Sequence, residues 1–78
     1  MELCGLIQEI NTKKRTLIVR SPERNKSVTI IWRHDTEFIQ NQQTTESTLL
    51  KTGLSVCVYY HSPFFGKAFA TKMVWLTP

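Results

Sequence analysis

The sequence predicts an all-β, five-stranded barrel with a long, poorly helical connection between its third and fourth strands. Two observations carry that expectation. Short β-rich runs, several of them alternating apolar and polar residues, are separated by turn-forming clusters in the order strand, strand, strand, long polar connection, strand, strand. The long connection holds no more than about one turn of helical pattern, far short of an ordinary globular helix. Together these give the layout of an OB fold.

The elements follow in order. Gly5-Leu6-Ile7-Gln8-Glu9-Ile10 is the first strand and ends at the polar run Asn11-Thr12-Lys13-Lys14-Arg15. Thr16-Leu17-Ile18-Val19-Arg20 follows at once, so the two pair most simply as a hairpin. Ser21 to Lys26 is a second turn, because Pro22 cannot continue a central strand and its neighbours are turn formers. Ser27 to Arg33 makes the third strand. If Leu17, Val19, Val28, Ile30 and Trp32 face the core, Arg20 and Arg33 point outward with Ile18 and Ile31 between them.

The connection from His34 to Gly53 includes the polar stretch Gln40 to Thr45, read as a loop. Thr45 to Lys51 offers one helical turn before Gly53 as a C-terminal cap. Leu49 and Leu50 are expected to plug the barrel, and Phe38 and Ile39 to anchor the loop. In the fourth strand Leu54, Val56, Val58 and Tyr60 share one face, with Ser55, Cys57 and Tyr59 on the other. The final hairpin turns through His61 to Lys67, with Gly66 at positive φ, and the fifth strand runs from Phe69 to Leu76. Phe64 and Phe65 sit at the tip of that turn, where polar residues are usual, and two readings stand: a lid folded over the barrel end or an outward contact surface.

Composition bounds the function classes. The 78 residues are expected to form a single domain, 1–78, that hides only about 60% of the surface of the unfolded chain. An apolar fraction of 41% excludes a disordered chain, and the apolar runs are too short for a membrane-spanning helix, so no membrane partner is expected. Met1-Glu2-Leu3-Cys4 leads directly into a strand pattern without a basic start and apolar core, which sets the expectation of a cytoplasmic protein. In a reducing cytosol Cys4 and Cys57 are expected to be free thiols, although the strands that carry them neighbour each other in an OB barrel. Neither they nor His34 and His61 show metal-ligand spacing, so no metal and no cofactor are expected. No nucleophile, base and orienting group can be assembled, carboxylates are dispersed and the three glycines form no phosphate loop, so the chain is read as non-enzymatic.

Nearly the whole chain resembles an uncharacterised conserved family, the small bacterial OB-fold domains of unknown function. Gly5, Ile7 and Ile10 match its G-x-I-x-x-I opening. Thr16 with Val19, and Thr36 with Phe38, match its next two segments. Leu50, Gly53, Val56, Val58 and Tyr60 match L-x-x-G-x-x-V-x-V-x-Y. Pro63 and Gly66, then Ala70, Thr71, Lys72 and Met73, match the turn and last strand. The resemblance implies the fold and no catalytic residues.

Charge suggests the ligand. Net charge is +4, and seven of the ten basic residues fall between Asn11 and Arg33 against the single acid Glu23. Such a basic half is either a binding face or a solubilising surface. OB barrels bind across strands two and three, between the loops after strands one and four. Here those loops carry Lys13, Lys14 and Arg15, and Phe64, Phe65 and Lys67. With Arg20 and Arg33 they predict weak, charge-driven contact with single-stranded DNA or RNA, Phe64 or Phe65 stacking on bases. The alternative is an interaction module in which Ile18, Ile31, Phe64 and Phe65 bind another protein or a second copy of the chain.

Overall fold

The computed structural model describes residues 1–63 and 67–77. Six strands and one 3-10 turn follow in order: β1 Glu2–Asn11, β2 Thr16–Ser21, β3 Lys26–Gln40, β4 Gln43–Thr45, the turn Ser47–Leu49, β5 Ser55–His61 and β6 Phe69–Trp75. Five of them close into a ring: β1 pairs with β2, β2 with β3, β3 with β6, β6 with β5, and β5 again with β1. All pairings are antiparallel except β3 with β6. The predicted all-β OB-like barrel is the observed fold. β4 is an added edge strand on the end of β3.

Closure depends on strands that serve two neighbours. The first half of β1 pairs with β5 and its second half with β2, and a register shift between Ile7 and Glu9 bends it from one to the other. Gly5 lies on the inner face at this crossing, and a Cβ there would collide with the Arg20 carbonyl of β2. No other residue type lets the two strands approach so closely.

β3 makes the same switch. Lys26 to Ile31 pairs with β2, and Ile31 to Gln40 with β6, with a shift between Trp32 and Glu37. Thr36 pins that bulge from inside: its hydroxyl donates to the Ala70 carbonyl at 2.7 Å and accepts the Arg33 N–H at 2.8 Å. The residues from His34 onward, expected as irregular connection, therefore continue a 15-residue strand. Their weak alternation hid the strand, because pairing with β6 and not local pattern stabilises it. The Gln40–Thr45 stretch is likewise a hairpin: Asn41 and Gln42 have φ of 51° and 68°, as a two-residue type I′ loop requires.

The barrel is filled by the inward sets of each strand. Leu3, Ile7, Leu17, Val19, Ile30, Val56, Val58 and Met73 are at most 2% exposed. Trp32, Phe38 and Trp75 stack edge-on at centroid distances of 6.5 Å. Leu50 plugs the core as expected, whereas Leu49 is 43% exposed, because a single 3-10 turn can aim only one of two adjacent leucines inward.

Candidate metal centre

The outer face of the β1–β5 ladder gathers both cysteines of the chain. Leu3 pairs with Val58 and Gly5 with Val56, and these residues point into the core. Strand alternation therefore turns Glu2 and Cys4 of β1 outward, beside Tyr59 and Cys57 of β5. Cys4 and Cys57 are direct cross-strand partners with Cα atoms 4.0 Å apart, and they are joined as a disulfide across 53 residues of sequence. One carboxylate oxygen of Glu2 and the two sulfurs all lie within 4.8 Å of one another.

The expectation of two free thiols is corrected by this bond. The expectation drawn from sequence spacing, that the cysteines belong to no metal-ligand set, is corrected by the grouping of Glu2, Cys4 and Cys57 in space. Sequence spacing failed because the donors belong to opposite ends of the chain, and only the β1–β5 register brings them together. The signal that existed was the placement of Cys57 on the outer face of the fourth strand and the adjacency of the first and fourth strands.

The surroundings tune this cluster. Glu2 lies opposite Tyr59, and Tyr59 opposite Lys72 of β6. A hydrogen bond to the Glu2 carboxylate, its negative charge and a small desolvation hold the Tyr59 phenol above its ordinary pKa of 10.0. The Lys72 ammonium sits 4.6 Å from the centre of the Tyr59 ring. Cys57 borders a depression of about 330 Å³ walled by Tyr59, Val74 and Leu76. Cys4 and Glu2 border another of about 310 Å³ that reaches Ser21 and Arg24. The donor set is thus open to solvent on both sides. As a disulfide it offers no thiolate; as a dithiol it would offer two soft ligands and one hard one, a set suited to thiophilic ions.

Of the residues expected to bind nucleic acid, the structure brings Arg15 and Arg33 to one depression and Lys14 and Lys67 to another, and leaves Arg20 apart from both. Lys13, Lys14 and Arg15 are exposed in the β1–β2 turn. Arg20 lies at the other end of β2 and donates to Asn25 Oδ1 at 3.3 Å. Arg33 stacks on Phe69, its guanidinium carbon 3.7 Å from the ring centre. Lys14 and Lys67 border one shallow groove with Ile18 at its wall. Ile18 and Ile31 are half-buried. Phe64 and Phe65, and Gly66 with its expected positive φ, lie outside the described residues.

No protein-family model matches the chain, and no curated protein matches its sequence. Two solved structures do match its fold. CusF with Ag(I) aligns with a TM-score of 0.70 at 11% identity, over 94% of this chain and 92% of that one. An Escherichia coli CusF variant with Cu(II) aligns with a TM-score of 0.69 at 11% identity, over 94% of this chain and 86% of that one. The expectation of a nucleic-acid ligand, or else a protein partner or second copy, with metal excluded, is corrected by these findings. Both matching barrels are metal-bound proteins, and this chain has its own convergent donors in Glu2, Cys4 and Cys57. At this identity the likeness establishes the fold: the chain is a five-stranded OB-like barrel similar to CusF.

Proposed function

We propose that the chain binds a thiophilic metal ion, of the silver or copper kind, through Cys4 and Cys57 with Glu2 as a third donor. The observation that carries this reading is the convergence of two sulfurs and a carboxylate oxygen within 4.8 Å on an open barrel face. The likeness to barrels carrying Ag(I) and Cu(II) supports it. Thiolates prefer soft ions such as Ag(I) and Cu(I), and two cross-strand thiolates pointing the same way can grip one ion without rearranging the ladder. The role is binding, not catalysis.

Binding requires the dithiol. One thiol of a reductant attacks a sulfur of the disulfide to form a mixed disulfide, a second reductant thiol attacks that bond, and the pair leaves as the reductant's disulfide; the two electrons and two protons end on Cys4 and Cys57. The ion then displaces both thiol protons, so uptake becomes tighter as pH rises. A cytoplasmic location would keep the pair in this form.

The test is an anaerobic titration of phosphine-reduced, desalted protein with Ag(I), and with Cu(I) against a chromophoric chelator. One ion per chain is expected for the reduced protein, with none for the disulfide form or for the Cys4→Ser/Cys57→Ser variant. Equal uptake by the reduced protein and the double variant overturns the assignment.

A further inference from the structure

A depression in a different part of the barrel surface shares no residue with the Glu2, Cys4 and Cys57 cluster. The β1–β2 turn, the bulge of β3 and the segment after β4 enclose this depression of about 380 Å³. Arg15, Arg33 and His34 border it, and Thr45, Ser47 and Thr48 add hydroxyls. Trp32 and Phe38, both almost wholly buried, form its floor. Glu46 is the one carboxylate on its rim. Among the described residues no Asp or Glu oxygen comes within 4.0 Å of a basic nitrogen, so neither guanidinium has an Asp or Glu partner.

Two features hold the arginines in place. Arg33 leaves the pinned bulge of β3, where Thr36 accepts its backbone N–H, and its guanidinium lies on the Phe69 ring at 3.7 Å. Stacking covers one face of the guanidinium and leaves its in-plane N–H donors free of the ring. Arg15 ends the β1–β2 turn at φ 55°, and its carbonyl accepts the Trp32 N–H at 2.9 Å. The β2–β3 turn is built alike, four residues ending at positive φ, but there the residue is Asn25. Asparagine suits that conformation and arginine does not, so the fold here accepts an unfavourable backbone and sets an arginine beside the depression.

We infer that this depression binds a small multiply charged oxyanion, a phosphate or polycarboxylate compound, clamped between Arg15 and Arg33. Fork-shaped guanidinium donors match both chemistries, the hydroxyls complete the coordination, and about 380 Å³ admits a small molecule. The inference stands independently of the metal reading.

The test is a two-dimensional amide NMR titration of the disulfide-bonded protein at low salt with inorganic phosphate, pyrophosphate and citrate. Saturable shifts at Arg33, His34, Thr36 and Ser47, at an apparent dissociation constant of about 1 mM or tighter for at least one probe, are expected. Whether the phosphates or citrate bind tighter separates the two chemistries. Arg15→Gln/Arg33→Gln should weaken binding at least about 10-fold, each decade reflecting lost charge-assisted contacts. Arg20→Gln, far along β2 from this site, should leave it unchanged. Non-saturating shifts with all three probes, or binding by the double variant as tight as the parent's, overturns the inference.

Discussion

The seam of β1 and β5 and the pole around Arg15 and Arg33 are both on the outside of one small barrel, yet they are built in opposite ways. The seam takes its donors from residues 53 apart and owes their meeting to strand register. The pole takes Arg15 from a local turn and Arg33 from a bulge, with the basic residues already clustered along the chain. At the seam, charge is sparse and the chemistry is soft sulfur beside a carboxylate. At the pole, charge is dense and the chemistry is electrostatic. The basic half is conspicuous along the chain, whereas the two cysteines are inconspicuous there and are brought together only by folding.

The sharpest way to break the seam is to cut its covalent bond. Reduction, or Cys4→Ala with Cys57→Ala, should lower stability by about 2–4 kcal/mol, because the bond closes a loop of roughly two thirds of the chain and restricts the unfolded state. Urea unfolding of oxidised and reduced protein measures this, and coincident midpoints would mean that the noncovalent β1–β5 ladder alone holds the seam. At the pole the corresponding cut is Thr36→Val, which keeps the shape and removes the hydroxyl that bridges Arg33 and Ala70. A loss of about 1–3 kcal/mol is expected, since the backbone groups are left unpaired in a buried bulge. The same denaturant series reads it, and the amide signals of Arg33 and His34 should shift more than those of β1.

The smallest effect sharpens the contrast in electrostatics. Glu2→Gln should bring the Tyr59 phenol down toward 10.0, followed by phenolate absorbance on alkaline titration. The sign follows from linkage. A raised folded pKa means that the protonated phenol favours the fold; this contribution is full below the unfolded value and disappears as pH rises through the folded one. The variant should therefore show a weaker loss of stability above pH 10 than the parent. An unchanged phenol titration would remove the Glu2–Tyr59 contact from the description of the seam.

Much of the architecture was legible in the residues. Gly5, Pro22 and Gly53 punctuate it, and the inward positions Leu17, Val19, Ile30, Val56 and Val58 follow from alternation and stay buried. Leu49 was misplaced because a single short turn carries no period to orient it. Residues 34–40 were misplaced because their strand is defined by a parallel partner more than thirty residues away. Of the site, the outward face of Cys57 and the adjacency of the strands carrying Cys4 and Cys57 were legible, but the bond between them and the place of Glu2 beside it were not.

Local patterning alone determined five of the strand-forming segments, though not the extension of β3 past Arg33 or β4, together with the inner and outer faces of most of them and the concentration of basic charge, since each depends on neighbours within a few positions. The pairing of Glu2 with Tyr59, the bond between Cys4 and Cys57 and the union of Arg15 with Arg33 around one depression belong to the tertiary structure. Register and closure decide them, because a one-residue slip along any of these ladders would turn the same side chains to the opposite face of the barrel.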